Sequence, residues 1–380
     1  MFRFFCMRNF IIILFSAFLL SVAVSCGHAV QDTVTAGNNL YARGFSLSDC
    51  DGYKILDIRN PWDTLRLLHR YLLVPKGAAV PDSMPSGTLL RTPLGRVAVY
   101  ASQHCAVMSR LGVEGNVAGI CDAYYVADTV VKKRLKQGEI VDLGSSFLPD
   151  MERLVSLSAE AIILSPYKDG SYGKAGELGI PLVEIADYME NSPLARAEWI
   201  KVFGALFDCG ALADSAFSVT CSRYDSLAAM AAVAVERPTL FCELKTGGVW
   251  YQPCGESYMA ALYRDAGIDY LWSDTPGTGS LSLSFEEVLS RAVHADLWVF
   301  KYADETRDRR LSDLAREFAP YSGFDAFKNG GVWGCNSVKS PFFEDLAVSP
   351  DRVLHDFMLM AHPELFSADD TAFYFKRLEK

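Results

Sequence analysis

Cysteine and histidine are present but nowhere gathered: ten cysteines and six histidines are scattered over 380 residues, with no Cys-x-x-Cys pair and no zinc-ligand spacing. That dispersion excludes a zinc ribbon or a thioredoxin-type redox motif. Also missing are a Gly-x-Ser-x-Gly elbow, a His-Glu-x-x-His helix and a phosphate-cradling P-loop, so the common hydrolase, metalloprotease and nucleotidase chemistries have no signature. Positive charge is in deficit. Lys and Arg number 36 against 46 Asp and Glu, a net charge of −10, which argues against nucleic acid as a partner.

What is present begins at the N-terminus. Arg3 and Arg8 flank the start of an apolar stretch, Phe10 to Leu20, broken only by Ser16, and small residues lead to Ala23-Val24-Ser25-Cys26-Gly27. This is the layout of a secretory signal over residues 1–25. The apolar run falls short of the about 20 residues that a membrane span needs. Cys26 resembles the lipid-accepting cysteine of the bacterial lipoprotein box, although Ala23 stands where that box usually has leucine. An ordinary cleaved signal with an incidental cysteine is the alternative. Residues 26–40 read as a flexible tether. Removing residues 1–25 removes Arg3 and Arg8 and no acid, which takes the charge from −10 to −12. Cys6 leaves with the signal. Cys242 and Cys254 flank an expected hairpin and Cys209 and Cys221 share a helical stretch, but no bridge is assigned.

Roughly 350 remaining residues exceed what one hydrophobic core usually supports, so two lobes are expected. Residues 41–94 alternate as short strands punctuated by Pro75, Pro81 and Pro85, an antiparallel N-terminal extension. Residues 95–190 then change to strand–loop–helix units, with apolar strands at Val97–Ala101, Val117–Ile120, Ala161–Leu164 and Gly179–Ile185. Residues 191–234 carry apolar residues at helical spacing with a break at Asp208-Cys209-Gly210, and strand–helix alternation restarts over 235–380. The fold class is therefore α/β: two Rossmann-like lobes with parallel-rich sheets joined by a long helical segment. A helical strut is stiffer than the two or three strands that link widely opening binding proteins.

Four segments resemble the iron-siderophore and cobalamin family of periplasmic substrate-binding proteins, over about residues 93 to 366. They are Arg96–Tyr100 running through Leu111-Gly112 to Ile120; Pro149-Asp150-Met151-Glu152 leading into Ala161–Leu164; Leu283-Ser284-Phe285-Glu286 leading into Ala295–Val299; and His362-Pro363-Glu364-Leu365-Phe366. The resemblance implies a helix-linked fold and capture of a metal chelate (ferric siderophore, haem or cobalamin) between the lobes, with no catalytic cofactor. It implies delivery to an ABC permease dimer with its ATPase subunits, by a monomer facing the periplasm of a Gram-negative-type cell on an N-terminal lipid. Glu152 and Glu286, one per lobe, match glutamates that in the family meet permease arginines, with Glu287 an adjacent competitor. As plain helix-start acids they would serve only as dipole partners.

Ligands of α/β sheets sit where loops converge at the carboxyl ends of strands. Loop residues there are His104, Tyr124, Tyr125 and Tyr167 from the first lobe and Trp250, Tyr251, Tyr302 and Trp333 from the second. Aromatic rings suit a macrocycle or catecholate, and each has packed-loop aromatic as its plain alternative. His104 is the candidate axial ligand to haem iron or cobalt, and Tyr124, Tyr125 and Tyr167 are candidate tyrosinate ligands to ferric iron. Three other readings stay open: a receptor for a free zinc or manganese ion, a secreted enzyme on the same scaffold, and a purely structural lipoprotein.

Overall fold

The computed structural model describes residues 39–168, 170 and 172–380. The signal at 1–25, Cys26 and the tether up to residue 38 lie outside the described residues. Where the described chain begins it is already fastened. The Glu198 carboxylate accepts backbone N–H groups of Leu40, Tyr41 and Ala42 at 2.8–2.9 Å, and Glu190 accepts those of Arg43 and Gly44. Among the described residues no helix is long and apolar enough to cross a membrane.

The N-terminal extension is a four-stranded sheet. Phe45–Cys50 and Tyr53–Arg59 form a hairpin whose two-residue turn, Asp51-Gly52, puts Gly52 at φ 83°, where glycine carries no Cβ penalty. Leu67–Pro75 continues antiparallel, but Thr88–Thr92 pairs parallel to it. The extension is thus not wholly antiparallel. The proline-bearing connection carries the chain back to the start of the sheet, as a parallel neighbour requires.

In the first lobe five parallel strands run, edge to edge, Leu182–Glu184, Ala161–Leu164, Val97–Val99, Val117–Ile120 and Val141–Asp142. Val97–Val99 and Ala161–Leu164 are buried throughout, the unbroken apolar runs of a sheet covered on both faces. In the second lobe the order is Asp269–Tyr270, Thr239–Cys242, Leu297–Tyr302, Val332–Asn336 and an antiparallel edge strand, Lys376–Arg377. A separate antiparallel sheet holds Lys245–Thr246, Val249–Pro253 and Ser280–Leu283. Each parallel sheet reverses direction once. The switch points lie between Val97–Val99 and Ala161–Leu164, and between Thr239–Cys242 and Leu297–Tyr302.

The helical link resolves into Pro193–Ala197, Ile200–Leu206 and the 23-residue helix Gly210–Ala232, about 35 Å long at 1.5 Å per residue. The first half of the long helix buries Ala213 and Phe217 in the first lobe's core, and the second half buries Tyr224 and Ala231 in the other's. A second helical crossing was not expected. In Phe342–Val348, Phe342 and Leu346 belong to the second core while Ala347 and Val348 belong to the first, and the helix packs on Ser102–Arg110. Pro350–Ala361 then packs along the long helix. The eight described cysteines are all free.

Candidate functional site: the mouth between two lobes

The carboxyl ends of the first sheet carry three exposed tyrosines. Tyr124 and Tyr125 follow the strand Val117–Ile120 and meet edge to face at 5.2 Å, 64% and 70% exposed. Tyr167 follows Ala161–Leu164, is half exposed, and stands edge-on to Tyr172 at 5.4 Å. The Tyr172 hydroxyl donates to the Glu184 carboxylate at 2.6 Å, which anchors that loop to the next strand. One contact spans the lobes here. The Tyr124 hydroxyl donates to Glu305 Oε1 at 2.5 Å, and Glu305 follows the second lobe's central strand Leu297–Tyr302. That bond raises the Tyr124 phenol above its ordinary value.

A second cross-lobe bond lies deeper. Glu344 Oε1 accepts the Ala127 backbone N–H at 2.8 Å, and burial pushes this carboxyl up to about 7. Backbone strain collects at the same strand ends. Asp122, at φ 51°, follows Val117–Ile120 and binds Ser146 Oγ at 2.5 Å. Glu243, at φ 63°, follows Thr239–Cys242 at the switch point, where the left-handed region costs a non-glycine residue about 1–2 kcal/mol. Its carbonyl accepts both the Trp250 and Trp298 indole N–H groups, at 3.1 and 2.9 Å, and its carboxylate pairs with Lys301.

Two expected ligand contacts are core residues instead. Trp250 is fully buried, because it sits on a strand and not a loop: the pleat turns Trp250 and Gln252 inward and leaves Tyr251 out, 46% exposed. Its ring packs among Phe241, Trp298, Tyr321 and Phe324 at 5.5–5.9 Å. His104 is 1% exposed. The helix Ser102–Arg110 begins before it, so the imidazole is inside the lobe against Phe203, and Asp187 Oδ1, 3.9 Å from its Nε2, is beyond hydrogen-bond reach. Asp187 is engaged elsewhere, accepting from the Arg196 guanidinium at 2.9 Å, which lies 5.2 Å over the Tyr258 ring. An axial-ligand role for His104 has no access to a bound chelate in this arrangement.

Tyr302 and Trp333 are also on strands. Tyr302 is 9% exposed, its hydroxyl accepting the Arg309 N–H at 3.0 Å, and it lines a cavity of about 730 Å³ within the second lobe. Trp333 is half-buried, paired in register with Arg377 on the edge strand. The sequence reading missed Glu305 and Glu344. Glu305 was findable as the loop after the strand ending at Tyr302; nothing local marks Glu344.

Glu152 occupies the first turn of Met151–Ser156, capped by Asp150, which accepts the Arg153 N–H at 3.1 Å. Glu286 occupies the first turn of Phe285–Ala292, capped by Ser284. Both are exposed. Each helix precedes a parallel strand of its lobe and runs back along the sheet, so each carboxylate sits at the carboxyl-end face of its own sheet. Glu287, the competitor, is occupied: its carboxylate accepts the Ser284 N–H at 2.6 Å.

Residues 97–338 match the family model described as periplasmic binding protein. The chain belongs to that family. This binding protein is 30% identical over 306 residues to an uncharacterized lipoprotein of Methanocaldococcus jannaschii, covering 76% of the chain and 70% of the relative. It shares its fold with a periplasmic heme binding protein from Pseudomonas aeruginosa, at 14% identity and TM-score 0.58, over 76% of this chain and 99% of that one. An ABC-type Fe3+-hydroxamate transport protein from Saccharomonospora viridis superposes likewise, at 20% identity and TM-score 0.54, over 70% and 93% of the two chains. At those identities the likeness is one of fold. The helix-linked two-lobe architecture of this binding protein is the one expected from its sequence.

Proposed function

We infer that this protein is the solute-capturing subunit of an ABC importer and holds a metal chelate between its lobes. The chelate class is ferric siderophore, haem or cobalamin. The observation that carries this is the trio Tyr124, Tyr125 and Tyr167, exposed at the carboxyl ends of one sheet, with Tyr124 bonded across the mouth to Glu305. Tyrosine offers a large face with one polar handle at low entropic cost. Tyr251, exposed on the second lobe, is the candidate to meet the ligand from that side. Similar folds named for heme and for Fe3+-hydroxamate support the ligand class. A bare zinc or manganese ion needs three or four converging donors; among the described residues no group of three His, Cys, Asp or Glu could hold one.

In this reading a lipid on Cys26 holds the protein on the outer face of a membrane, and Glu152 and Glu286 meet basic residues of the two permease subunits. Paired charges of this kind set docking register and association rate more than affinity. One reconstituted-uptake experiment with titration calorimetry tests the whole reading. Glu152→Lys with Glu286→Lys should leave chelate affinity unchanged and reduce uptake at least tenfold. Tyr124→Ala with Tyr125→Ala should lower affinity about tenfold or more. Cys26→Ala should move the protein out of the membrane fraction. Normal uptake by the double lysine variant would reject the docking roles, and unchanged affinity in the double tyrosine variant would reject the ligand surface.

A further inference from the structure

We propose that the second lobe carries a separate binding site for a small soluble polyanion bearing phosphate or carboxylate groups. The site is the cavity of about 730 Å³ beside Tyr302. Its volume lies within the range of small-molecule pockets. Six cations line it: Arg307, Arg309, Arg310, Arg316, Lys376 and Arg377. Only three acids do so, Asp308, Asp313 and Glu379. A concavity with twice as many positive as negative groups stands out on a chain whose overall charge is −10.

The fold assembles this surplus from two distant stretches. Arg307-Asp308-Arg309-Arg310 follows the central strand, and the C-terminal strand brings Lys376 and Arg377 alongside by pairing Gly334 with Lys376. The Leu311 N–H donates to the Glu379 carbonyl at 2.9 Å and closes the tail over the helix Leu311–Glu317.

The acids present do not satisfy the cations. Asp313 is shared: it takes both Arg307 terminal nitrogens at 2.6 and 2.7 Å and also lies 3.4 Å from Arg316. Asp308 is shared between Lys376 at 2.8 Å and Lys339 at 3.6 Å. Among the described residues the Arg310 guanidinium has only Glu379, at 4.0 Å, and that of Arg377 only the neutral Gly330 carbonyl. Guanidinium forks with open donors match the paired oxygens of phosphate or carboxylate. Arg309 is held in place 5.4 Å over the Tyr302 ring and 2.8 Å from Glu317.

This site does not depend on the reading of the cleft. Every lining residue belongs to the second lobe, so the cavity is complete whether or not the lobes close on a chelate. Its concavity fits a free anion rather than a flat layer of headgroups.

The test is titration calorimetry on the full chain in neutral detergent and metal-free buffer. The probes are pyrophosphate, tricarballylate and a short-chain phosphatidylglycerol. Saturable one-to-one binding of pyrophosphate or tricarballylate is expected, weakening as salt rises. Arg310→Gln with Arg377→Gln should reduce affinity at least tenfold while leaving the unfolding temperature and chelate affinity unchanged. Three results would overturn the proposal: no saturable heat with either soluble anion at millimolar concentration, equal affinity in the double variant, or variant-sensitive binding of the phosphatidylglycerol alone, which would make the site a lipid headgroup pocket.

Discussion

Trp250 and Glu344 show how far a single residue's environment decides its role. Trp250→Ala removes a fully buried ring that also donates to the carbonyls of Cys242 and Glu243. It should cost about 3–5 kcal/mol, the usual range for truncating a buried aromatic. Urea unfolding should show that loss, while chelate affinity of the folded fraction stays as in the wild type. A selective loss of affinity would return Trp250 to the ligand surface. Glu344 is raised to about 7 by burial, against an ordinary 4.5. The folded protein therefore holds this proton more tightly than the unfolded chain does. The stability is fully present below about pH 4.5 and is lost as pH rises through about 7, by at most about 3 kcal/mol at 1.36 kcal/mol per unit. Glu344→Gln should flatten the fall of the melting temperature between pH 5 and 8; an unchanged slope would contradict this. Neither residue's role was legible in the sequence. Alternation along Val249–Pro253 says that Trp250 and Tyr251 face opposite ways, but not which way is inward. His104 was misplaced because the helix Ser102–Arg110 takes in a residue that the sequence reads as loop.

At the scale of elements, the sequence carries more. A short unbroken apolar run such as Ala161–Leu164, with its two β-branched isoleucines, reads as a strand buried on both faces, and the helical spacing from Leu212 to Leu227 reads as a helix. What it hides is pairing. Nothing in Thr88–Thr92 distinguishes a parallel from an antiparallel partner, and nothing in Phe342–Val348 says that its two ends serve different cores. That second crossing strengthens an expectation about motion. Closure must bend Gly210–Ala232, whose two halves are packed into different cores, and bending it breaks intrahelical hydrogen bonds, while Phe342–Val348 ties the two cores together a second time. Small-angle scattering with and without chelate should show a radius of gyration unchanged within about 1 Å. A decrease of several ångströms, the mark of wide hinge closure, would mean that the helices do not act as struts.

Across the whole molecule, exposed carboxylates and exposed aromatic rings gather at the same strand ends. The switch points of both sheets, the strained residues Asp122 and Glu243, the exposed tyrosines and the two capped-helix glutamates all fall at the carboxyl ends of the strands. Under the proposed function, those loops would hold the solute and those carboxylates would meet the partner. The most direct test is native mass spectrometry of the protein purified from its own cells, read with its absorption spectrum. The account predicts a one-to-one small-molecule adduct carrying a porphyrin, corrin or ferric-chelate chromophore. A bare metal ion as the only adduct would contradict it.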